Sequence, residues 1–234
     1  MPLFGQSVLT LQDQMERAVS AFGEGDYLAC HRQFEAMELD YGTEPEFLAR
    51  NFQQKILPLR GYAALMTDRP MDALVYFERL LNQDSLDRGL FAFVLYNQAI
   101  AQSQTQALTA AAESFNQFQR EFPGTNEAAL ALLQEANIRL DIGEVQQAET
   151  LLDTFYESSA SKTLRMQARL RALQIAGETH STKRAREILF ETDWNVTAMP
   201  DIAILDLNIR GENILNKIEP FKIQFPSVKL LIFS

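Results

Sequence analysis

Two histidines and one cysteine are the side chains of this sequence best suited to metal ligation or nucleophilic attack, and their placement supports neither. Cys30 and His31 are adjacent, so on a helix their side chains leave in different directions and make a poor chelate. His180 stands far along the chain, and no cysteine or carboxylate at metal-ligand spacing accompanies either histidine. No HExxH, GxSxG, phosphate-binding glycine loop or dinucleotide fingerprint occurs, and the abundant carboxylates recur at intervals that fit solvated helix faces. The sequence therefore reads as non-catalytic, with no cofactor and no metal. A different chemistry lies in residues that recur 37 apart. Asn97, Gln134, Arg171 and Asn208 form one such column, Ile100, Asn137 and Gln174 a second, and Phe93, Leu130, Gln167 and Ile204 a third. Amide side chains both donate and accept, which suits the unpaired backbone of an extended peptide, and Arg171 adds a fork for a carboxylate.

Those columns need a scaffold that repeats at the same step. Ala111, Ala148 and Ala185 are spaced by 37 residues, and Ala73 precedes Ala111 by 38. A bulky residue follows each by one turn: Phe77, Phe115, Leu152 and Leu189. The small residue lets a neighbouring helix approach and the large one fills the space beside it. A second apolar-periodic segment with its own alanine, Ala99 or Ala136, lies upstream, so each unit is two antiparallel helices. Gly25 and Gly143 supply the turn between them, and Pro123-Gly124 ends a second helix. Self-similarity at this period is the mark of a solenoid, whose units bury their faces only against neighbours.

Read in order, the pattern predicts helices over 7–22, with Ser7 as cap, and over 26–39. The second unit opens near Pro45, and here the step from Cys30 to Ala73 stretches to 43 residues. Pro58 and Gly61 fall in this region and predict a break near Leu57. Helices follow over 71–82, 86–101, 107–122, 126–140, 145–156, 163–176 and 182–191, then a connection holding Trp194 and a sixth first helix over 200–217. The tail, residues 220–234, carries Pro226 and alternates more like a strand. The fold class expected is an all-α solenoid of about five to six antiparallel helix pairs over 7–219, with 220–234 an apolar tail or incomplete repeat.

Gly25, Tyr27, Cys30 and Phe34, then Gly143, Val145, Ala148 and Leu152, with Phe115, Phe118 and Pro123 for the second half, resemble the tetratricopeptide repeat. The step of 37 residues exceeds the family's own and is more similar to the looser arrays of bacterial envelope scaffolds. The resemblance implies a non-catalytic scaffold whose first helices line a concave groove that binds a protein or peptide segment. By it the groove residues are Phe93, Asn97, Ile100, Gln134, Asn137, Gln167, Arg171, Gln174 and Asn208. The lysines of a co-chaperone carboxylate clamp are missing. The alternative is a structural scaffold that self-associates through its apolar carboxyl-terminal end as a homo-oligomer.

Composition bounds the partners. A net charge of −10 disfavours nucleic acid, whose phosphates demand clustered cations. Charge is uneven: residues 1–50 hold nine acids against three bases, whereas 162–186 hold seven bases against Glu178 alone. A solvated surface of mixed charge accounts for this more simply than a partner does. One cysteine forms no internal disulfide, and Cys30 takes the place of an alanine in the repeat. No apolar run is long enough to span a membrane, and the first ten residues lack the features of a secretory leader. The expectation is a cytoplasmic protein, or a periplasmic one whose leader has been removed.

Overall fold

The computed structural model describes residues 9–157, 162–191, 202–206 and 229–233. Its helices are α1 (Leu11–Gly23), α2 (Tyr27–Tyr41), α3 (Pro45–Leu48), α4 (Arg50–Met66), α5 (Pro70–Leu81), α6 (Arg88–Gln104), α7 (Leu108–Glu121), α8 (Asn126–Asp141), α9 (Val145–Glu157), α10 (Lys162–Glu178) and α11 (Thr182–Glu191). They pack as adjacent pairs, α1/α2, α4/α5, α6/α7, α8/α9 and α10/α11, so the all-α, paired-helix reading stands. The chain forms two compact units divided between Phe122 and Pro123. Polar side chains set several helix starts. Thr10, not Ser7, caps α1, accepting from the Asp13 N–H while the Asp13 carboxylate accepts from the Thr10 N–H. Those bonds from Thr10 hold the Asp13 carboxyl below its ordinary pKa. Asp26, Asp87 and Thr125 cap α2, α6 and α8, each side chain accepting from a backbone N–H of the first turn.

One turn closes every pair. Gly25, Asp68, Gln106, Gly143 and His180 all have positive φ, between 54° and 84°. In each case the next residue's N–H bonds a carbonyl five residues back: Asp26 to Ala21, Arg69 to Ala64, Ala107 to Gln102, Glu144 to Arg139 and Ser181 to Ala176. The left-handed residue itself bonds three back, as Gln106 does to Ser103. This is the Schellman motif, which satisfies carbonyls that the helix end leaves unpaired. Two of the five are glycines and visible as such in the sequence. Asp68, Gln106 and His180 are L-residues held in the same geometry, so His180 serves as a turn residue.

Counting back seven residues from each left-handed position gives Ala18, Gly61, Ala99, Ala136 and Leu173, of which Ala18, Ala99 and Ala136 are fully buried. Gly61 is the tightest member: a Cβ built there would lie 2.4 Å from Cε1 of Phe77. On the second helices Cys30, Ala73, Ala111, Ala148 and Ala185 are all buried, followed one turn on by Phe34, Phe77, Phe115 and Leu152, also buried. Each such side chain stabilises the fold by about 1.5–3 kcal/mol relative to an exposed one.

The structure corrects two local expectations. The break in the second unit falls at Ala49, whose ψ of 134° separates α3 from α4, and α4 then runs unbroken through Pro58. Pro58 withholds one N–H from the helix, but Ile56 and Leu57 beside it are fully buried and hold the segment in place. At the true break, the buried Gln53 side chain donates to the Phe47 carbonyl at 2.6 Å. The extra length therefore goes into α3. Second, within the stretch 200–217, where a helix was expected, the described residues Ile202–Asp206 form strand β1. It pairs in parallel with β2 (Lys229–Phe233), Ile202 opposite Lys229 through Asp206 opposite Phe233. The strand character of the tail is thus seen in β2. Trp194 and Ser7 lie outside the described residues.

Two stability measurements check this account. Gly61→Ala should lower the free energy of unfolding by about 1–2 kcal/mol despite alanine's helix propensity, because the Phe77 ring must move, and Phe77→Leu should recover much of the loss. Gln106→Gly should raise it by about 1 kcal/mol by relieving a left-handed L-residue. Urea denaturation followed by circular dichroism reads both.

Candidate functional site

The left-handed turn residues provide an internal ruler for the first helices. In the unit beginning at Pro123, α8 places Leu130, Gln134 and Asn137 at the positions where α10 places Gln167, Arg171 and Gln174. Gln134, Gln167 and Gln174 are exposed, while Asn137 and Arg171 are half-buried. The two columns meet where Arg171 Nε donates to Asn137 Oδ1 at 3.1 Å, joining α8 to α10. That leaves the two terminal nitrogens of the guanidinium, which this bond does not use. Gln174 donates to Glu178 one turn on, at 2.8 Å. The wall thus offers amides and one oriented cation, able to hydrogen-bond a peptide backbone or carboxylate.

In the unit ending at Phe122 the same positions carry different chemistry. Asn97 is buried, and its amide donates to the Phe93 carbonyl on its own helix at 2.7 Å. Phe93 and Ile100 are half-buried and pack on the core of that unit. The ruler extends the columns to residues that the stretched step hides in the sequence: Glu16 and Leu59 align with Asn97, and Val19 and Tyr62 with Ile100. Tyr62 centres an aromatic cluster, with ring centroids 5.7 Å from Phe22, 5.7 Å from Tyr27 and 5.9 Å from Phe93. Only the positive φ at Asp68, which no glycine announces, would have revealed that register. Of the remaining column members, Ile204 lies on β1 and not on a first helix, and Asn208 lies outside the described residues.

The basic run of the sequence is largely committed internally. Asp153 Oδ1 accepts from Arg169 at 2.6 Å, Asp153 Oδ2 accepts from Arg184, and the Arg169 guanidinium lies 3.7 Å from the Tyr156 ring centroid. Buried Glu135 accepts from Arg139 at 2.9 and 3.0 Å. His31, 2% exposed, sits where α2, α4 and α5 meet. Its Nε2 faces both Glu35 Oε1, at 3.0 Å, and the Arg69 guanidinium, while Nδ1 is buried without a partner. One nitrogen cannot donate to Glu35 and accept from Arg69 at once, so Arg69 shares the Glu35 charge. Burial first, then Arg69 and Arg60, lower the His31 pKa against the opposing pull of Glu35 and Asp72. Among the described residues no three His, Cys, Asp or Glu side chains come together as a metal-binding set, and no helix is long and apolar enough to cross a membrane.

Paired helices, each closed by the same left-handed turn and crossing at small residues, define a helical-repeat protein. Residues 80–195, spanning α6 to α11, match the model of the tetratricopeptide repeat-like domain. The fold is similar to the crystal structure of a tetratricopeptide repeat protein from Parabacteroides merdae ATCC 43184. The TM-score is 0.58 at 16% identity, over 79% of this chain and 64% of that one. The chain therefore spans somewhat less than two thirds of that protein, and at this identity the likeness concerns the fold alone. No curated protein matches the sequence. Residues 80–195 thus match a tetratricopeptide repeat-like domain, and the paired-helix fold is similar to that of a tetratricopeptide repeat protein.

Two titrations test the buried groups. Because the folded His31 pKa lies below its unfolded value near 6.5, the unfolded chain binds more protons as pH falls. Stability should therefore decline from about pH 6.5 downward and level off below the folded pKa. Urea midpoints between pH 8 and 5 should show that slope, and His31→Gln should flatten it. Burial, with a smaller contribution from Asp26, pushes the Cys30 thiol up to about 11. A thiol-disulfide reagent at neutral pH should accordingly modify Cys30 only at the rate of unfolding.

Proposed function

We propose that the chain is a non-catalytic interaction scaffold whose first helices form the wall of a peptide-binding groove. Within the second unit the segment would lie along Gln134, Asn137, Gln167, Arg171 and Gln174. The supporting observation is the Arg171–Asn137 hydrogen bond. It orients a guanidinium beside exposed amides on the face that carries no core packing, whereas the other face of each helix is buried. The match of residues 80–195 to a tetratricopeptide repeat-like domain supports a protein partner, and the amide-rich wall favours an extended segment with an acidic residue facing Arg171. In the first unit, Phe93 and Ile100 would contribute apolar contact, and Asn97 would support the wall from inside.

The test is selection of peptides from a displayed random library on the immobilised chain, followed by calorimetry. Arg171→Ala should weaken the selected peptides by about 5–30-fold, the loss of a charge-assisted hydrogen bond, and Gln134→Ala by less. Peptides that bind both variants as tightly as the parent would end the groove reading.

A second reading, self-association through the carboxyl-terminal end, draws support from the β1–β2 pair. Among the described residues the sheet has two strands, so each strand has one backbone edge without a ladder partner. Removing residues 220–234 should then convert an oligomer to monomer in light scattering, with peptide binding at Arg171 unchanged. A mass unaffected by the truncation discards it.

A further inference from the structure

The strongest unassigned feature is a cavity of about 330 Å³ in the first unit, where the end of α5, the start of α6 and the end of α7 converge. Its walls include Leu81, Leu86, Phe91 and Phe122, with the Phe91 and Phe122 rings 5.9 Å apart. Polar groups are few and oriented. Arg88 donates to the Glu121 backbone carbonyl at 3.1 Å, and its guanidinium lies 5.5 Å from the Phe122 ring centroid. Gln83 also lines the cavity, and its oxygen is taken by Gln54 at 2.9 Å, which leaves its amide N–H groups as donors there.

The preceding repeat shows what is missing. Arg50 occupies the position of Arg88 one unit earlier and donates to the Ser85 carbonyl at 2.7 Å and to the Ser85 hydroxyl at 2.8 Å. At Arg88 the carbonyl has its counterpart in Glu121, but the second oxygen has none. We propose that the cavity binds a compact amphiphilic carboxylate, an aliphatic or aromatic body ending in one carboxylate, either free or as the last residue of a peptide. One carboxylate oxygen takes the place that Ser85 Oγ holds beside Arg50, the other meets the Gln83 amide, and the body lies on the leucine and phenylalanine walls. The volume is at the lower end for small-molecule sites, which limits the ligand to a short chain or one or two residues. Arg88 is exposed and so is the Glu121 side chain at the rim, so the charge contribution is modest and opposed by a like charge. This site lies apart from the groove of the second unit and does not depend on it.

The test uses the whole chain and two matched pairs of probes: octanoate with octanamide, and N-acetyl-Ala-Leu with its carboxyl-terminal amide. Calorimetry should show at least one acid bound about fivefold more tightly than its amide, and whichever acid binds better identifies the source. Arg88→Gln should erase the preference, and Glu121→Gln should strengthen acid binding by a few fold. Because Arg88→Gln also removes the bond to the Glu121 carbonyl, Leu86→Glu provides an independent check: a carboxylate fixed in the cavity should block the acids while circular dichroism stays unchanged. Acids and amides bound alike, no acid bound by about 10 mM, or a preference that survives both Arg88→Gln and Leu86→Glu would overturn the assignment.

Discussion

The left-handed residue at the end of each first helix is the constraint on which the remaining structure depends. It reverses the chain within three residues while leaving the helix-end carbonyls bonded, as the Arg69 N–H does for Ala64 and the Glu144 N–H for Arg139. Once the reversal is fixed, the second helix returns along the first, and the residue seven positions before the turn faces it. That is why Ala18, Gly61, Ala99 and Ala136 are small. It is also why the exposed positions of the first helices fall into columns.

The same constraint explains what the sequence disclosed and what it concealed. Helix pairs were legible wherever the small-then-large pattern coincided with a glycine turn, as at Gly143, Ala148 and Leu152. Asp68, Gln106 and His180 do the glycine's work without its signature, since the bonded turn offsets the backbone cost of about 1–2 kcal/mol. Without Asp68 as a marker, the 43-residue step from Cys30 to Ala73 offered Pro58 as its obvious cause. The actual cause was the short helix Pro45–Leu48, capped by a buried glutamine that no local pattern announces. For the same reason Tyr62 and its aromatic neighbours escaped a column built by counting in steps of 37. The strand at Ile202–Asp206 escaped because an apolar run of that length suits a strand or a buried helix equally, and the rhythm of the preceding repeats favoured helix.

Electrostatics show a similar division. The surplus of cations over 162–186 read as a solvated surface of mixed charge, yet Arg169 and Arg184 converge on Asp153. Asp153 lies one helix before Arg169 and two before Arg184, and only folding brings it to them. In the first unit Arg60, also buried, reaches Glu38 at 2.5 Å and the Tyr76 hydroxyl at 3.0 Å. Such pairs contribute little net stability, since desolvation consumes most of the attraction, but breaking one leaves a buried charge uncompensated. Their effect is to fix which helix may sit beside which, a distinction that alanines and phenylalanines repeated at equal spacing cannot make.

Within each unit the substantial contacts join helices of one pair or of adjacent pairs, α1 with α2 and α4, α4 with α5 and α6, α9 with α8 and α10. Among the described residues, no helix therefore waits for a distant part of the chain before it can be sheltered. Each pair can form as soon as its neighbour exists, and loss of one pair removes support from the next in line without dismantling the remainder at once. Denaturation of such a molecule proceeds as fraying from an end, and its transition is broader than that of a globule of equal length, in which every layer touches every other.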